Sequence, residues 1–439
     1  MMGTALIHKI GFSAVAASSF VWLQVAMVVC VNAVESDEQR LNVLWIVADD
    51  LSPDLGCFGE TNVATPNIDQ LAADGVRFTA AFATAPVCSS SRSAFITGMY
   101  QTSIGAHHHR TWNMQPLPGG IRPVMELFRD AGYFVCNGTA VGSARSAKTD
   151  FNFTTPNDAR LFDGTSWNQR KAGQPFFAQV QIYEPHREFL TDTDPQRADK
   201  LNIPPVYPDH PVTRKDWANY LASVEELDRK VGVTLQRLRD DGLESNTIVF
   251  FFGDHGQPHV WGKQWLYDAG LLVPLIVKWP GKLTSGAADE RLVSLIDVSA
   301  TSLAAAGIAV PASMQGQNMF KEGWAGRSVI FAARDRCGDA FDRIRCVRDK
   351  RFKLIHNFAP ATAYNNRSGY KILQYPVLTL METMHRDGTL NQVQDRFFQP
   401  TKPPYELYDV EVDPFETKNL AEDSAYAADL KRLQQDLQQ

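Results

Sequence analysis

The chain has 439 residues, of which 44% are apolar and 21% are charged, so it is long enough to bury one large core and a smaller second one. Its formal net charge of -6 gives no overall attraction to nucleic acid or to anionic membrane surfaces, and neither partner is expected. An anionic substrate would therefore have to be bound by individual local cations.

The first predicted element is a signal peptide over residues 1–33. Lys9 precedes an apolar run at residues 10–31, and the stretch ends in Val31-Asn32-Ala33, whose small last residue suits signal peptidase. A run of about twenty apolar residues has the length of a membrane anchor as well. The small-residue ending favours cleavage, so we expect a secreted or periplasmic protein without a stable membrane anchor.

Strand-like and helix-like segments alternate over residues 41–327. Four apolar runs have the length of buried strands: 43–48, 176–182, 247–252 and 274–279. Helices are indicated at 65–73 by a Thr-Pro capping pair and at 214–241 by an amphipathic period. Because continuous apolar strands that alternate with helices are typical of parallel sheets, we predict an α/β domain with a mostly parallel central sheet covered by helices on both faces.

The character of the sequence changes near Ser328. Shorter strands are indicated at four places: 329–332, 344–347, 352–356 and 405–410. A closing amphipathic helix is indicated at 421–438. These segments predict a smaller α+β domain over residues 328–439.

Six cysteines are few for an exported chain of this length, so no disulfide framework is expected to hold it together. Cys57 and Cys136 are expected to be buried thiols. Cys337 and Cys346 are close in sequence, and a bridge between them across a hairpin is left open.

Acidic residues follow two of the predicted strands. Asp49 and Asp50 come directly after the first run, and Asp254 and His255 follow the run 247–252 within a Gly-Asp-His-Gly sequence. Open α/β sheets bind ligands at the carboxyl ends of their strands, and neighbouring carboxylates repel each other unless a cation intervenes. We therefore expect a site for a divalent cation there, and the ligand types leave calcium, magnesium and a transition metal open.

A serine-rich segment begins with Pro-Val-Cys-Ser-Ser-Ser-Arg at residues 86–92 and ends in Thr97-Gly98. Small polar residues suit the start of a helix, where free backbone N–H groups and the helix dipole favour anions. Cys88, four residues before Arg92, is either a reactive thiol at this helix start or a buried thiol beside a helix cap.

The run Cys88-x-x-x-Arg92 with Thr97-Gly98 resembles the signature of the type I sulfatase family, in which that cysteine is converted to formylglycine. Pieces similar to the family's other motifs follow its order along the chain: Asp49-Asp50, Lys148, Glu184-Pro185-His186, Asp254-His255, Lys263 and Glu406-Leu407-Tyr408-Asp409. The likeness spans nearly the whole mature chain, and in look it is nearest to heparan N-sulfatase and related carbohydrate sulfatases.

The resemblance implies an alkaline-phosphatase-like fold and a sulfuric ester hydrolase that removes O- or N-linked sulfate from a sulfated carbohydrate. It implies a formylglycine made from Cys88 by a formylglycine-generating enzyme, whose hydrated form attacks sulfur with one hydroxyl and expels sulfate with the other. It further implies that calcium is bound by the formylglycine together with four side chains: Asp49, Asp50, Asp254 and His255.

Cations and a proton donor complete the implied catalytic set. Arg92, Lys148 and Lys263 are expected to hold the sulfate oxygens by charge-assisted contacts. His186, with Lys263, is expected to protonate the leaving alcohol or amine, since imidazole titrates near neutral pH.

Two positions depart from the family's pattern. Ser90 stands where the common maturation signature has proline, and Asp150 stands where many relatives have histidine. An ionised carboxylate cannot donate a hydrogen bond to sulfate, so Asp150 is expected to orient a neighbour or to contact substrate. The His-His-His-Arg run at residues 107–110 could equally be a metal-binding surface tract. Its place just beyond the predicted nucleophile helix favours the substrate pocket, and His109 and Arg110 are expected to line that pocket.

Two other functions remain open at this point. A phosphoester hydrolase or phosphotransferase of the same fold superfamily is one, although such relatives use serine or threonine as nucleophile with zinc or manganese, unlike the Cys88 segment. A non-catalytic protein that binds sulfated glycans is the other. Ser90 suggests it, because this residue departs from the maturation signature that the converting enzyme recognises.

Overall fold

The computed structural model describes residues 40–140, 147–155, 161–366 and 368–438, and these belong to one compact unit. The predicted signal peptide at 1–33 lies outside the described residues. Within the described ranges, no helix combines the length and the apolar character needed to cross a bilayer.

The main sheet contains eight strands: β1 (Asn42–Ala48), β2 (Val76–Phe82), β3 (Phe134–Thr139), β4 (Phe176–Ile182), β5 (Thr247–Gly253), β6 (Leu272–Lys278), β7 (Ala287–Asp289) and β8 (Val293–Ser294). Their order is β3-β4-β1-β5-β6-β2-β7, and β8 pairs with β2. Neighbours are parallel, except that β6 runs antiparallel to both β5 and β2. The predicted mostly parallel sheet is confirmed.

Helices cover both faces of this sheet. In chain order they are α1 (Pro66–Asp74), α2 (Cys88–Thr97), α3 (Val124–Asp130), α4 (Arg197–Lys200), α5 (Pro211–Asp240), α6 (Asp268–Leu271) and α7 (Ile296–Ala305). Alternate residues of β1 enter different cores. Leu44 and Ile46 share one apolar cluster with residues of α1 and α5, whereas Val43 and Trp45 share the other with residues of α2, α3 and α7. Because successive side chains of a strand point to opposite faces of the sheet, β1 packs against both helical layers.

The long predicted helix begins three residues earlier than the sequence indicated. α5 starts at Pro211, whose missing N–H is no loss in a first turn, and the His210 side chain accepts a hydrogen bond from the backbone of Val212. Its apolar stripe is buried as expected from the spacing: Leu221, Val224, Leu227, Val231, Leu235 and Leu238.

The C-terminal part contains a separate antiparallel sheet. Its strands are β9 (Ile330–Cys337), β10 (Ala340–Arg348), β11 (Phe352–Asn357) and β12 (Tyr405–Asp409), in the order β12-β11-β10-β9. Four helices accompany it: α8 (Gly369–Gln374), α9 (Pro376–Arg386), α10 (Gln392–Asp395) and α11 (Ala427–Gln438). The smaller α+β region is confirmed, while its boundary at residue 328 stays a prediction.

Cys337 and Cys346 are both buried and free, so the hairpin bridge left open by the sequence does not form. The strand register explains this, because Cys337 lies opposite Ala340 and Cys346 lies opposite Ala332. Cys136 is a buried thiol as expected, and Cys57 is half-buried and also free.

Candidate active site

The carboxyl ends of β1 and β5 bring the predicted acidic residues together. The two strands pair in register up to Ala48 and Gly253, so Asp49 and Asp254 follow at adjacent strand ends. A Cβ on Gly253 would lie 2.5 Å from the carbonyl oxygen of Leu51, and only glycine permits this close approach.

Three fully buried carboxylates converge at this point. Those of Asp49, Asp50 and Asp254 offer oxygens that all lie within 4.8 Å of one another. Burial and the charge of Asp49 raise the pKa of Asp254. Carboxylates that repel each other in a buried site are the environment in which a hard divalent cation binds.

Lysines hold two of these carboxylates ionised. The ammonium of Lys148 lies 2.7 Å from both oxygens of Asp49, and that of Lys263 lies 2.9 and 2.8 Å from those of Asp50. Burial alone would raise the pKa of each carboxyl, but the neighbouring cationic groups, of which the paired lysine is the largest contributor, together hold both well below the usual value. The pKa of each ammonium is raised in turn, against the opposing effect of burial.

Helix α2 carries Cys88 at its first position and Arg92 one turn later, and all ten of its residues are buried. The Nε of Arg92 donates to Oδ2 of Asp254 at 2.8 Å, and a terminal nitrogen donates to the side chain of Gln181 on β4 at 2.8 Å. The helix therefore fixes both its first residue and its arginine against the strand ends.

Cys88 lies inside the acidic cluster. Its Sγ is 3.3 Å from Nε2 of His255 and 3.8 Å from Oδ1 of Asp50. His255 also places Nε2 3.0 Å from Asp50, and its pKa is raised well above the usual value because Asp254, Asp50 and Cys88 outweigh the effect of burial.

His186 faces the same cluster from the loop after β4. Its Nδ1 is hydrogen-bonded to the carbonyl oxygen of Arg187, so Nδ1 carries the proton and Nε2 points towards Asp50 at 3.8 Å. Burial, followed by the charge of Lys263, lowers the pKa of His186 to about 4. The imidazole is therefore a neutral acceptor at Nε2 until a bound anion raises its affinity for a proton.

The residues that depart from the family's pattern form an adjoining group. Arg110 donates two hydrogen bonds to Asp150, at 3.0 and 2.9 Å, and Lys148 lies 3.7 Å from the same carboxylate. His109 places Nδ1 3.0 Å from the hydroxyl of Ser89 on α2, and burial, followed by the charge of Arg110, lowers the pKa of His109 to about 3. Asp150 thus holds Arg110 through both of its carboxylate oxygens.

A cleft of about 1100 Å³ opens onto these groups. Eight of the predicted residues line it: Asp49, Arg92, His109, Arg110, Lys148, Asp150, His186 and Lys263. The other four are buried and are not among the lining residues: Asp50, Cys88, Asp254 and His255. Six further lining residues were not predicted from the sequence: Trp112, Gln181, Arg336, Asp339, Ser368 and Tyr370. Four of these six come from the C-terminal part, and no local sequence motif predicts that this part packs beside the cleft.

Strained backbone also concentrates here. Four non-glycine residues at the cluster or along the cleft have positive φ, namely Asp50 at 63°, Arg110 at 49°, Asp150 at 54° and Gln264 at 83°. Such conformations persist only where the surrounding structure enforces them, and they cluster at functional sites.

The comparison with family models decides what kind of enzyme carries this site. Residues 41–308 match the model described as Sulfatase, and residues 253–366 match the model described as N-sulphoglucosamine sulphohydrolase, C-terminal. The chain belongs to the sulfatase family. The predicted type I carbohydrate sulfatase family and the predicted enzyme class, a sulfuric ester hydrolase, are confirmed.

Two curated relatives align with nearly the whole of this sulfatase's sequence. An ulvan-active sulfatase of Formosa agariphila is 35% identical over 91% of this chain and 74% of its own length. The human N-sulphoglucosamine sulphohydrolase is 28% identical over 90% of this chain and 89% of its own length.

Solved structures share the sulfatase's fold. One, in complex with D-glucosamine-2-N,6-O-disulfate as its substrate, aligns with a TM-score of 0.62 at 18% identity over 91% of this chain and 97% of its own. A phosphonate monoester hydrolase from Silicibacter pomeroyi aligns with a TM-score of 0.66 at 19% identity over 91% of this chain and 94% of its own. At this identity the likeness establishes the alkaline-phosphatase-like fold and does not separate sulfate from phosphonate chemistry.

Proposed function

We propose that this sulfatase removes sulfate from a sulfated carbohydrate, with calcium and a formylglycine made from Cys88 at its centre. One observation carries the proposal: Cys88 lies at the start of a buried helix, with Sγ within 4.8 Å of carboxylate oxygens of Asp50 and Asp254, two of the three buried carboxylates. Lys148 and Lys263 reach the same cluster from its sides.

The donor set fits a calcium ion. Asp49, Asp50 and Asp254 supply the carboxylate oxygens that a hard cation prefers, and Nε2 of His255 reaches the same cluster. With His255 neutral, as a metal ligand must be, the three carboxylates balance three cations: Arg92, Lys148 and Lys263. A divalent ion would therefore leave a local surplus of positive charge for a sulfate group. When bound, calcium would supply charge stabilisation for the reacting sulfate oxygens.

The position of Cys88 also bears on how it is modified. The side chain is 1% exposed in the folded chain, and the whole of α2 is buried around it. A formylglycine-generating enzyme would therefore have to act on Cys88 before the chain folds. When formed, the formylglycine would supply the hydrated aldehyde as nucleophile.

Residues of the chain itself would bind the sulfate group and donate a proton to the leaving group. Arg92 is held in place by hydrogen bonds to Asp254 and Gln181, and Lys148 is held by Asp49. The charges of both side chains are therefore preorganised to bind the sulfate oxygens. Lys263, whose pKa is raised, holds a proton beside position 88. Nε2 of His186 faces Asp50 in the same cluster. A sulfate bound there would raise the pKa of His186, so that the imidazole could donate a proton to the leaving oxygen or nitrogen.

A carbohydrate substrate is supported by the relatives and by the shape of the site. The relatives' names refer to ulvan and to sulphoglucosamine, and one solved neighbour holds a disulfated glucosamine. The cleft of about 1100 Å³ is lined by hydrogen-bonding side chains beside the cationic group, as a polar, bulky ester requires.

Export is part of the proposal. The apolar run at 10–31 after Lys9 and the small-residue ending at Ala33 support a cleaved signal peptide. The mature N-terminus, read by sequencing the protein recovered outside the cytoplasm, should lie close to residue 34. Recovery of the full chain in the membrane fraction would contradict this proposal.

A substrate panel tests the function. Sulfate release should be measured on ulvan, heparan sulfate, chondroitin sulfate and carrageenan fragments, with protein whose residue 88 has been characterised by mass spectrometry. Cys88→Ala should abolish release without unfolding the chain. Faster cleavage of a phosphate ester than of any sulfate ester would favour the phosphoester alternative, and an unmodified thiol with no turnover would favour a binding protein.

A further inference from the structure

We propose that Trp112 is a stacking platform for a sugar ring next to the sulfated one, so that the enzyme prefers a sulfated oligosaccharide chain to a single sulfated sugar. The inference rests on the proposed function and adds a substrate length and a specificity-determining residue to it.

Trp112 is fully exposed, at 101% of the reference surface, although tryptophan side chains are highly buried on average. A single exposed apolar side chain is ordinary on a protein surface, so exposure by itself assigns Trp112 no role. Trp112, however, lines the same cleft as Lys148, Arg110 and Asp150. Its position therefore connects it with the sulfate-binding groups rather than with a remote surface.

The backbone that carries this exposed ring is held firmly. Thr111, the preceding residue, donates its N–H to the side chain of Asn152 at 2.7 Å, and its hydroxyl accepts from the same amide at 3.0 Å. Asn152 in turn donates its backbone N–H to the hydroxyl of Ser93 at 2.8 Å. Ser93 belongs to α2, so Trp112 is connected by two steps to the helix that carries Cys88.

A second attachment lies one turn earlier on the same helix. The hydroxyl of Ser89 accepts a hydrogen bond from the backbone of Arg110 at 3.0 Å. From the other side, Arg336 on β9 donates to the carbonyl oxygens of His109, at 3.0 Å, and Arg110, at 3.3 Å. The segment before Trp112 is therefore tied to both the nucleophile helix and the C-terminal sheet.

This combination of a fixed backbone and an exposed ring is suited to carbohydrate. The C–H face of a pyranose is apolar while its edge is polar, and an aromatic ring provides a flat apolar surface that leaves the hydroxyl groups in water. Tryptophan has only two rotatable side-chain bonds, so its ordering on binding costs little entropy. A ring at the cleft edge would contact a neighbouring sugar while the sulfated one occupies the cationic pocket.

The test compares long and short substrates in matched variants. Hexasaccharides from ulvan, heparan sulfate, chondroitin sulfate and carrageenan are assayed beside the sulfated monosaccharides obtained from them, with wild type, Trp112→Ala, Trp112→Phe and Trp112→Leu. Phe415→Ala is the control, because Phe415 is an exposed aromatic residue, at 48%, outside the cleft lining. Calorimetric titration of the same hexasaccharides into the Cys88→Ala protein gives affinities that do not depend on turnover.

Trp112→Ala should raise KM and Kd for the best hexasaccharide about tenfold, or ~1.4 kcal/mol, relative to the matching monosaccharide. Trp112→Phe should retain most of the affinity, while Trp112→Leu should resemble Trp112→Ala. Equal changes for long and short substrates, or a Leu variant as good as wild type, would overturn the stacking role. An absence of turnover by the wild-type enzyme would count against the proposed function alone, because the titrations would still show whether Trp112 binds the chain.

Discussion

The guanidinium of Arg92 donates from Nε to Oδ2 of Asp254 at 2.8 Å, and both side chains are almost completely buried. A terminal nitrogen of the same guanidinium lies 3.4 Å from Asp49. One arginine thus links two of the three carboxylates, and its loss would leave both without that charge partner. Breaking a buried ion pair is far more costly than breaking a surface pair.

Arg92→Ala should therefore lower the free energy of unfolding by about 3–5 kcal/mol in calcium-free buffer and abolish sulfate release. Denaturant unfolding measures the first effect and ion chromatography of sulfate the second. Arg122→Ala is the control, because Arg122 pairs with Glu126 at a partly exposed site and should cost less than about 1 kcal/mol. Equal stability of the two variants would contradict the structural role given to Arg92.

Calcium should stabilise the protein in proportion to its occupancy of the carboxylate cluster. At about 100 times its Kd, calcium would add ~2.7 kcal/mol, which thermal unfolding with and without a chelator detects as a higher Tm. Asp254→Asn and Asp50→Asn should lose this increase. Asp209→Asn should keep it, since Asp209 is an exposed residue that pairs with Arg214 at the surface. A full calcium response in Asp254→Asn would place the ion elsewhere.

Arg110 and Asp150 should act as one unit. Because Asp150 accepts two hydrogen bonds from Arg110, removing either side chain frees the other from its orientation. Arg110→Ala and Asp150→Ala should each raise KM several-fold, and the double variant should be no worse than the more affected single one. In a double-mutant cycle this corresponds to a coupling of about 1 kcal/mol. Additive effects on KM would show that the two residues contact substrate independently.

The stability of the fold should fall in acid through His259. Burial, only partly offset by Asp216, lowers the pKa of His259 to about 4, and the ring stacks on Trp217 at 4.2 Å between centroids. Between pH 6.5 and 4 the unfolded chain binds a proton on this histidine that the folded chain does not bind. The free energy of unfolding should therefore decrease as pH falls through this window.

The contribution of His259 appears as a difference between two stability–pH curves. His259→Gln should be less stable than wild type at pH 7 and should lose less stability between pH 7 and 4, by an amount on the order of 3 kcal/mol. Parallel curves for wild type and His259→Gln would contradict the assignment.

Restoring proline at position 90 should improve maturation without harming the fold. Ser90 is the third residue of α2, where the backbone N–H has no partner within the helix, so a proline removes no helical hydrogen bond. Its own hydroxyl is buried without a hydrogen-bond partner. Ser90→Pro should raise the fraction of chains converted at Cys88, as measured by peptide mass spectrometry. An unchanged or lower fraction would show that serine is already suited to the converting enzyme.

Much of the main sheet could be predicted because its strands are buried on both faces and read as apolar runs. β1 and β5 are examples, and the acidic residues that follow them lie at adjacent strand ends for the same reason. The direction of β6 could not be read in this way. Its connection from β5 contains only the short helix α6 instead of a full crossover helix, so the chain returns antiparallel.

The site followed from the sequence where chemistry and motif coincide, as at Cys88, Asp254 and Lys263. Gln181 and Trp112 could not be predicted as site residues from the sequence, for a physical reason. Gln181 acts by orienting Arg92 from a neighbouring strand, and Trp112 depends on a loop that Asn152 holds in place. Both roles arise from contacts between distant segments, which residue type and spacing do not encode.

We propose that residue 88 becomes the nucleophile of a calcium-dependent sulfatase. Peptide mass spectrometry of residue 88 in protein purified from an exporting host, paired with sulfate release from the same preparation, tests this most directly. Formylglycine is expected at position 88, with release that rises with the converted fraction and disappears in Cys88→Ala. Full sulfate release by a preparation that carries an unmodified thiol at position 88 would contradict it.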